Sequence, residues 1–541
     1  MDLNPIEEAW RSAAALVAEL GRGLAGSCVQ DGRFDRRRFD ALQPESLAFA
    51  RLLAEQEAAG CMVRYARGQG AYERALTGVY VARFVQAVVC AWRFRGPSFG
   101  VPSEHAALPA LEAFVASSFR TPGLVDAAKA LLARTRDLAG ASALEEDHVS
   151  IRETFARFAD ERVAPLAEEI HRHDRQIPED LLQDLAALGV FGISIPEEYG
   201  GSFIDHLTMC LATEELSRAS LGAGGSVITR PEICAKAILK GGTEEQKRLW
   251  LPQIAAAERV ISVAVTEPNA GSDVASVRVT AKPVEGGYVI NGEKTWCTFA
   301  GRADVFCLLA RTGGPDEGHK GLTLFLVEKP PTFPGPDEHH FRHTQEEGGV
   351  VEGHAIPTIG YRGMHSYSVT FEDYFVPNAN RIGAEGDGFV LQMQGFAGGR
   401  IQTAARAVGV MEAAFRKAVS YAQERRVFGQ PLASFSASSA KLVEMAAVLQ
   451  ANRQLCYEVA RMMDEGKGDM EASLVKLLSC KDAEWVTREA MQLHGGMGYS
   501  EEYAVSRYWV DARVLSIFEG AEEVLALYVV ARQALRALAE A

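Results

Sequence analysis

Glu519 lies in the segment SIFEGAEEV (516–524), between Phe518 and Gly520. An apolar neighbour and a glycine that lets a ligand come close suit a carboxylate that is partly stripped of water and abstracts a proton. A lone glutamate is otherwise usually a solvated surface charge. A second segment, NGEKTWCTFAG (291–301), places Trp296 and Thr298 on either side of Cys297. In a strand the two side chains would share a face, so an indole and a hydroxyl would line one wall of a planar ring; the plainer reading is a core tryptophan. A third, VAVTEPNAGSDVAS (263–276), reads as a strand running into a loop of small and hydroxyl residues. Such a loop offers backbone N–H groups and the Thr266 and Ser272 hydroxyls to a heteroaromatic ligand with a polar edge. It is equally the composition of a surface turn.

Other chemistries lack their signals. No strand is followed by GxGxxG, HGGMGYS falls between helical patterns, and there is no P-loop, GxSxG, HExxH or paired-cysteine spacing. The 541 residues carry 71 acidic against 56 basic side chains, a formal charge of −15. That balance repels phosphate backbones and anionic lipid, so neither nucleic acid nor a membrane is expected as a partner, and an anionic substrate would need local basic groups. Nine cysteines are scattered singly, as expected of reduced thiols in a cytoplasmic protein. The opening MDLNPIEEAW lacks a leader pattern, and the apolar stretch 80–92 is interrupted by Arg83 and Gln86, short of the roughly 18 residues that span a bilayer. A soluble chain is expected.

Texture divides the sequence into four regions: an Ala/Leu/Arg-rich helical extension over 1–145, a second helical region over 146–258, short β-branched strands over 259–385, and long helices over 386–541. PEDLLQDLAALG (178–189) has the proline start and glycine stop of a helix. ALEEDHVS (143–150) is expected to be a linker, and 333–357, dense in Pro, Gly, His and Glu, a solvated loop inserted in the β region.

From about residue 149 onward, five segments in order resemble the acyl-CoA dehydrogenase family. VTEPNAGSD is similar to the family's VTEPGAGSD, with Asn269 for Gly; KTWCTFAG resembles KxWITNG, with Phe299 and Ala300 for Asn and Gly. QERRVFGQP carries RxxFG, QLHGGMGY matches QxxGGxGY, and IFEGAEE is similar to IYEGTxQ, which holds the catalytic glutamate in short- and medium-chain members. The resemblance implies an α+β multidomain fold: a helical domain, a middle β-barrel domain and a C-terminal four-helix bundle, here preceded by the N-terminal helical extension. It also implies FAD, an acyl-CoA substrate, an electron-transferring flavoprotein as electron acceptor, and a homo-oligomer. A dimer is expected, because the extension must bury its apolar faces somewhere.

Residue by residue, the resemblance assigns Glu519 as the base, and Val265 and Thr266 to the pyrimidine edge of the flavin. It lays Trp296 and Thr298 against the isoalloxazine, and gives Arg425, Phe428, Gln492 and Gly496 to the adenine and pyrophosphate of a FAD in the neighbouring subunit. Ser272 is implied to meet the pantetheine, Arg400 to support that side of the pocket, and Gly520 to allow close approach of substrate. Some members place the base beside the Arg400 position; here that neighbour is Gly399. Ala521 replaces the usual Thr, and Ala397 stands where an acidic residue is frequent.

Extension and insertion together resemble members acting on a short branched acyl group with a free carboxylate, which needs a cation or donors at the pocket end. Thr229 and Arg230 fall in the implied acyl-cavity region, and His365 is a second candidate. Arg230 before Pro231 is otherwise a surface arginine. Histidines 339, 340, 343 and 354 could suggest a metal, with 339 and 343 one helical turn apart, but no metal is expected of a solvated loop. An oxidase of the same fold, and a flavoprotein-fold binding or repair protein without catalysis, are the alternatives. The second would call for a basic C-terminal region and could discard Glu519.

Overall fold

The computed structural model describes residues 2–330 and 337–540. Its contacts divide the chain into two compact units: Ser150–Gln402, and Met1–Val149 together with Thr403–Ala541.

In the unit 150–402 the described residues form a mixed nine-stranded sheet. Its order is Arg381–Ile382, Leu322–Glu328, Val305–Arg311, Thr280–Val284, Gly287–Thr298, Ser366–Pro377, Val350–Ala355 and His340–Thr344, with Ile261–Ala264 pairing in parallel with Val305–Arg311. The runs VFCLLAR and LTLFLVE show no polar alternation because both faces of their strands are covered. Val305, Cys307 and Leu309 join Leu322, Leu324 and Leu326 in one cluster, closed by Ile238, Trp250, Leu251 and Ile254 of the helices. Phe306, Leu308 and Ala310 join Phe325 and Val327 in another, closed by Phe341, Val351, Tyr367 and Phe371.

Local signals set the helix ends. Glu179–Ala187 starts after Pro178 and is followed by Gly189 at φ 82°. Glu244–Ala255 opens on a reciprocal Thr243–Gln246 capping box. Two expectations are corrected here. The supposed linker is half helix, since Glu146–Phe158 begins inside it with Glu146 and Asp147 in the first turn, where acidic side chains complement the dipole. The insertion is not a solvated loop. From residue 337 on it forms the hairpin His340–Thr344 and Val350–Ala355, which extends the sheet beside Ser366–Pro377 and buries Phe341 and Val351. The residues at 333–336 lie outside the described chain.

The other unit is helical. Gln43–Ala66 and Ala71–Arg95 of the extension pack against Ser436–Asp464, and Gln43–Ala66 also against Asp469–His494. Contrary to the sequence expectation, the helical segment Ala71–Phe99 is long and apolar enough by length and composition to cross a bilayer. In this fold it is an inner helix: Leu76, Val81, Phe84, Val85 and Val88 are buried. A half-open cavity of about 590 Å³ lies where Val79, Phe119 and Leu124 of the extension face Ala447 and Val448. Glu412 and Arg453, both buried, pair at 2.8 Å. Burial alone would raise the Glu412 carboxyl, but Arg453 and Arg416 outweigh it and hold the group far below the usual range.

A chain beginning at residue 146 would bare the apolar surface that the extension covers on Ser436–Asp464 and Asp469–His494. Light scattering should show such a truncation aggregated and the full chain monodisperse; a soluble, cooperatively folded truncation would show that this face does not need the extension.

Candidate active site

In the helical unit, Glu519 sits in the loop between Val505–Leu515 and Glu522–Val524, closed by a hydrogen bond from the Glu522 N–H to the Ser516 carbonyl. Its backbone is left-handed at φ 53° and is followed by Gly520 at φ 97°. A Cβ on Gly520 would stand 2.9 Å from the Leu525 side chain, so only glycine fits there without a shift. The Glu519 carboxylate is gripped at one oxygen. Oε2 accepts from the Thr403 hydroxyl at 2.5 Å and from Arg406 Nη2 at 2.5 Å, and Arg406 also donates to Thr403 Oγ1 at 2.6 Å. Arg406 is fully buried and lies over the Phe518 ring at 5.0 Å. Among the described residues Oε1 accepts no hydrogen bond, and the side chain retains 11% exposure, which leaves that oxygen able to meet a ligand. Lys476, also buried, donates to the carbonyls of Phe518 at 2.9 Å and Gly520 at 2.5 Å. Burial pushes the nearby Cys480 thiol up to about 11, so it is a neutral neighbour of this group.

Sequence reasoning missed Thr403, Arg406 and Lys476. Each lies far from Glu519 along the chain, and their only early signal was two cations, at 406 and 476, on otherwise apolar helical faces.

Arg425, Phe428, Gln492 and Gly496 are all exposed, Phe428 at 92% and with φ 49°. The Arg425 N–H and C=O are held by the Tyr421 carbonyl and the Leu432 N–H, so the backbone of this turn is fixed while its side chains face outward.

In the unit 150–402, the 263–276 loop is built on a buried ion pair. Glu267 accepts from the N–H groups of Arg278 at 2.7 Å and Val279 at 2.9 Å, and from Lys294 Nζ at 2.8 Å; Lys294 also donates to the Val265 carbonyl at 2.8 Å. Burial lowers the Lys294 pKa, with Glu267 opposing it. The Thr266 carbonyl accepts from the Thr295 N–H, Thr266 itself is half-buried, and Ser272 is exposed.

The expected shared face of Trp296 and Thr298 is corrected. The register against Ser366–Pro377 shifts between the Cys297–Tyr367 and Lys294–Val369 pairs, and Trp296 adopts φ 58° at this bulge. Trp296 is 55% exposed, while Thr298 is buried with its hydroxyl 3.1 Å from that of Ser366. Phe299 follows at φ 66°, its N–H bonded to the His365 carbonyl.

Arg230 is no surface arginine. It is buried in the helix Thr229–Gly241, donating to the Ser226 carbonyl at 2.8 Å and the Tyr361 hydroxyl at 2.9 Å, and among the described residues no carboxylate pairs with it. Thr229 donates to Gln402 at 2.8 Å. Arg400 is half-buried in Gly388–Glu424; the side chain of Ala397 lies outside the described residues. His365 is buried with Nε2 3.2 Å from Asp174, and burial lowers its pKa against the pull of that carboxylate.

Four histidines fall in two clusters, Asp174 with His339 and His365, and Glu352 with His340 and His354. In each an arginine reaches the carboxylate: Arg362 is 3.4 Å from Asp174, and Arg342 bonds Glu352. His343 lies on a strand, so the helical-turn spacing from His339 does not apply.

Comparison with known proteins identifies the class. The chain matches the acyl-CoA dehydrogenase N-terminal domain over 145–258, the middle domain over 262–374 and the C-terminal domain over 386–535. It belongs to the acyl-CoA dehydrogenase family, whose members are flavin-dependent oxidoreductases. It is 44% identical to the (2S)-methylsuccinyl-CoA dehydrogenase of Cereibacter sphaeroides over 73% of this chain and 71% of that one. It is 38% identical to the benzylmalonyl-CoA dehydrogenase of Aromatoleum aromaticum over 71% and 97%. Among solved structures, butyryl-CoA dehydrogenase of Megasphaera elsdenii superposes with a TM-score of 0.66 at 32% identity, covering 72% of this chain and 98% of that one. A glutaryl-CoA dehydrogenase in complex with glutaryl-CoA gives 0.66 at 28%, covering 72% and 95%.

Proposed function

We propose that the protein desaturates a short branched dicarboxylic acyl-CoA, (2S)-methylsuccinyl-CoA above all, to mesaconyl-CoA, with Glu519 as the base. The observation that carries the substrate class is Arg230, a buried guanidinium met, among the described residues, only by neutral acceptors. A charge kept out of water without an anionic partner suits a ligand carboxylate. Three of the four relatives named above support the same class, because methylsuccinyl-, benzylmalonyl- and glutaryl-CoA are all monothioesters of dicarboxylic acids, whereas butyryl-CoA is not. Arg230 takes precedence over His365, whose Nε2 is engaged with Asp174.

The exposed Trp296 and the exposed set Arg425, Phe428, Gln492 and Gly496 fit FAD, the latter in a neighbouring subunit. Aromatic surface of this size, unshielded within the chain, suits a partner or a planar ligand. Bound FAD supplies the acceptor for the hydride that leaves the β-carbon, and its electrons pass on to an electron-transferring flavoprotein. Glu519 takes the α-proton at Oε1 while Thr403 and Arg406 hold Oε2. Ser272 and Arg400 serve the CoA side of the pocket, Val265, Thr266 and Thr298 serve the flavin edge, and Gly520 leaves room for the acyl chain. A cytoplasmic homodimer completes the reading, with the extension occupying surface that a larger assembly would otherwise use.

The purified protein should be yellow, and Glu519→Gln should stay yellow and bind CoA esters, yet lose about 10²–10⁴ of the rate of flavin reduction in stopped flow. Near-normal reduction would move the base elsewhere.

Methylsuccinyl-CoA should exceed butyryl-CoA more than tenfold in kcat/KM, since an unmatched buried polar group costs roughly 1–3 kcal/mol. Arg230→Met should erase most of that preference, measured with an artificial electron acceptor; equal losses on both esters would release Arg230 from the carboxylate. Light scattering of the full chain should give twice the chain mass, and a tetramer would overturn the dimer.

A further inference from the structure

We propose that Lys476 is a positioning residue for Glu519, fixing through two carbonyls the left-handed backbone that aims the carboxylate. The inference rests on the reading of Glu519 as the base and goes beyond it, to what holds the base in place.

Left-handed backbone is disfavoured for a residue with a Cβ, and it persists only where the surroundings over-determine it. Glu519 adopts it at φ 53°, and Gly520 continues it at φ 97°. Two successive residues of this kind reverse the chain locally, and the carbonyls before and after, those of Phe518 and Gly520, both point at Lys476 Nζ. A lysine suits this place because its ammonium is a compact charge with three donors and no acceptor, able to bind two carbonyl oxygens converging on one point. Lys476 is 1% exposed, so its charge is out of water and depends on such contacts. It reaches them from the helix Asp469–His494, a rigid mount rather than a loop.

The side chain is held independently. Thr403 and Arg406, on the helix Gly388–Glu424, bind Oε2, and the Arg406 guanidinium lies over the ring of Phe518, whose carbonyl Lys476 holds. One grip sets where the Cα of Glu519 sits and the other sets which oxygen is spent. Oε1 is left for the proton. A misplacement of about 1 Å at a reacting group is enough to lose on the order of 10²-fold in rate without altering binding. Removing Lys476 is therefore expected to act on the chemical step.

The test uses the holoenzyme and the variants Lys476→Met, Lys476→Arg, Gly520→Ala and Glu519→Gln. Three quantities are read: the limiting rate of flavin reduction by methylsuccinyl-CoA, its Kd by calorimetry, and amide hydrogen exchange over 516–524 without substrate. Lys476→Met should reduce flavin about 10²-fold more slowly, keep Kd within about threefold of wild type, and exchange faster at 518–522. Lys476→Arg, which keeps the charge and the donors but not the compact ammonium, should recover part of the lost rate and of the exchange protection. Gly520→Ala strains the same turn from its other end and should likewise slow reduction and raise exchange at 518–522, with Kd not compared because Gly520 also leaves room for the acyl chain; the rate and exchange of Lys476→Arg, read against wild type, carry the test if Lys476→Met does not fold. A wild-type reduction rate in Lys476→Met, unchanged exchange alongside a lowered rate, or a loss confined to Kd would each overturn the proposal. If Glu519→Gln is inert while Lys476→Met is normal, only the positioning role falls. If Glu519→Gln reduces flavin normally, the base itself has been misassigned.

Discussion

A carboxylate that removes a proton from carbon must be ionised, short of water and aimed, and these demands conflict. Drying an anion disfavours its charge, and a flexible glutamate wastes its reach. In the role proposed for Glu519, a buried ion pair made at one oxygen only resolves the conflict. Arg406 and Thr403 supply the stabilisation that water would have given, at Oε2, and among the described residues nothing bonds Oε1. The backbone must cooperate, because a side chain gripped at its tip still swings if its Cα is loose. Hence the left-handed pair of residues at 519 and 520, and the lysine between their flanking carbonyls.

The β unit repeats the device with other residues. The loop that follows Ile261–Ala264 would be a mobile turn by composition. Glu267 instead reaches two backbone N–H groups and Lys294, and Lys294 reaches back to the Val265 carbonyl, so a single buried pair ties the loop to the neighbouring strand. That strand carries Trp296, which its bulge turns outward. In both units a buried lysine bonds main-chain oxygen beside a residue with a proposed role in binding or chemistry, Lys476 at two carbonyls and Lys294 at one carbonyl and the Glu267 carboxylate. Breaking such a group leaves an uncompensated charge in the interior, which costs about 3–5 kcal/mol where it has been measured for buried pairs.

The helical extension, which precedes the family matches, and the insertion within the middle domain are held by ordinary core physics. The extension buries the apolar faces of Gln43–Ala66 and Ala71–Arg95 on the C-terminal helices, with polar stitches such as Gln450 to the Ala141 carbonyl at 2.7 Å. The hairpin of the insertion adds its strands to an existing edge and buries Phe341 and Val351, which protects that edge from unwanted pairing.

Sequence alone determined what depends on short range. Helix starts and stops, the doubly buried strands and the five family segments are contiguous patterns, legible because period, capping and turn chemistry act over a few residues. Glu519 stood out as a candidate for the same reason, through Phe518 and Gly520 beside it. Tertiary structure decided whatever depends on residues brought together from afar. Arg406 lies 113 residues from Glu519, and Lys476 lies 44 from Gly520, so no local pattern could pair them. Arg230 was a candidate partner for a carboxylate from the sequence, and tertiary structure decided that it is buried rather than on the surface. A bulge, set by pairing with a strand some seventy positions away, separated Trp296 from Thr298 despite their regular spacing. The hairpin in the insertion was hidden because Pro, Gly and His density signals turns, whereas a waiting sheet edge can recruit even such a segment by satisfying its backbone hydrogen bonds.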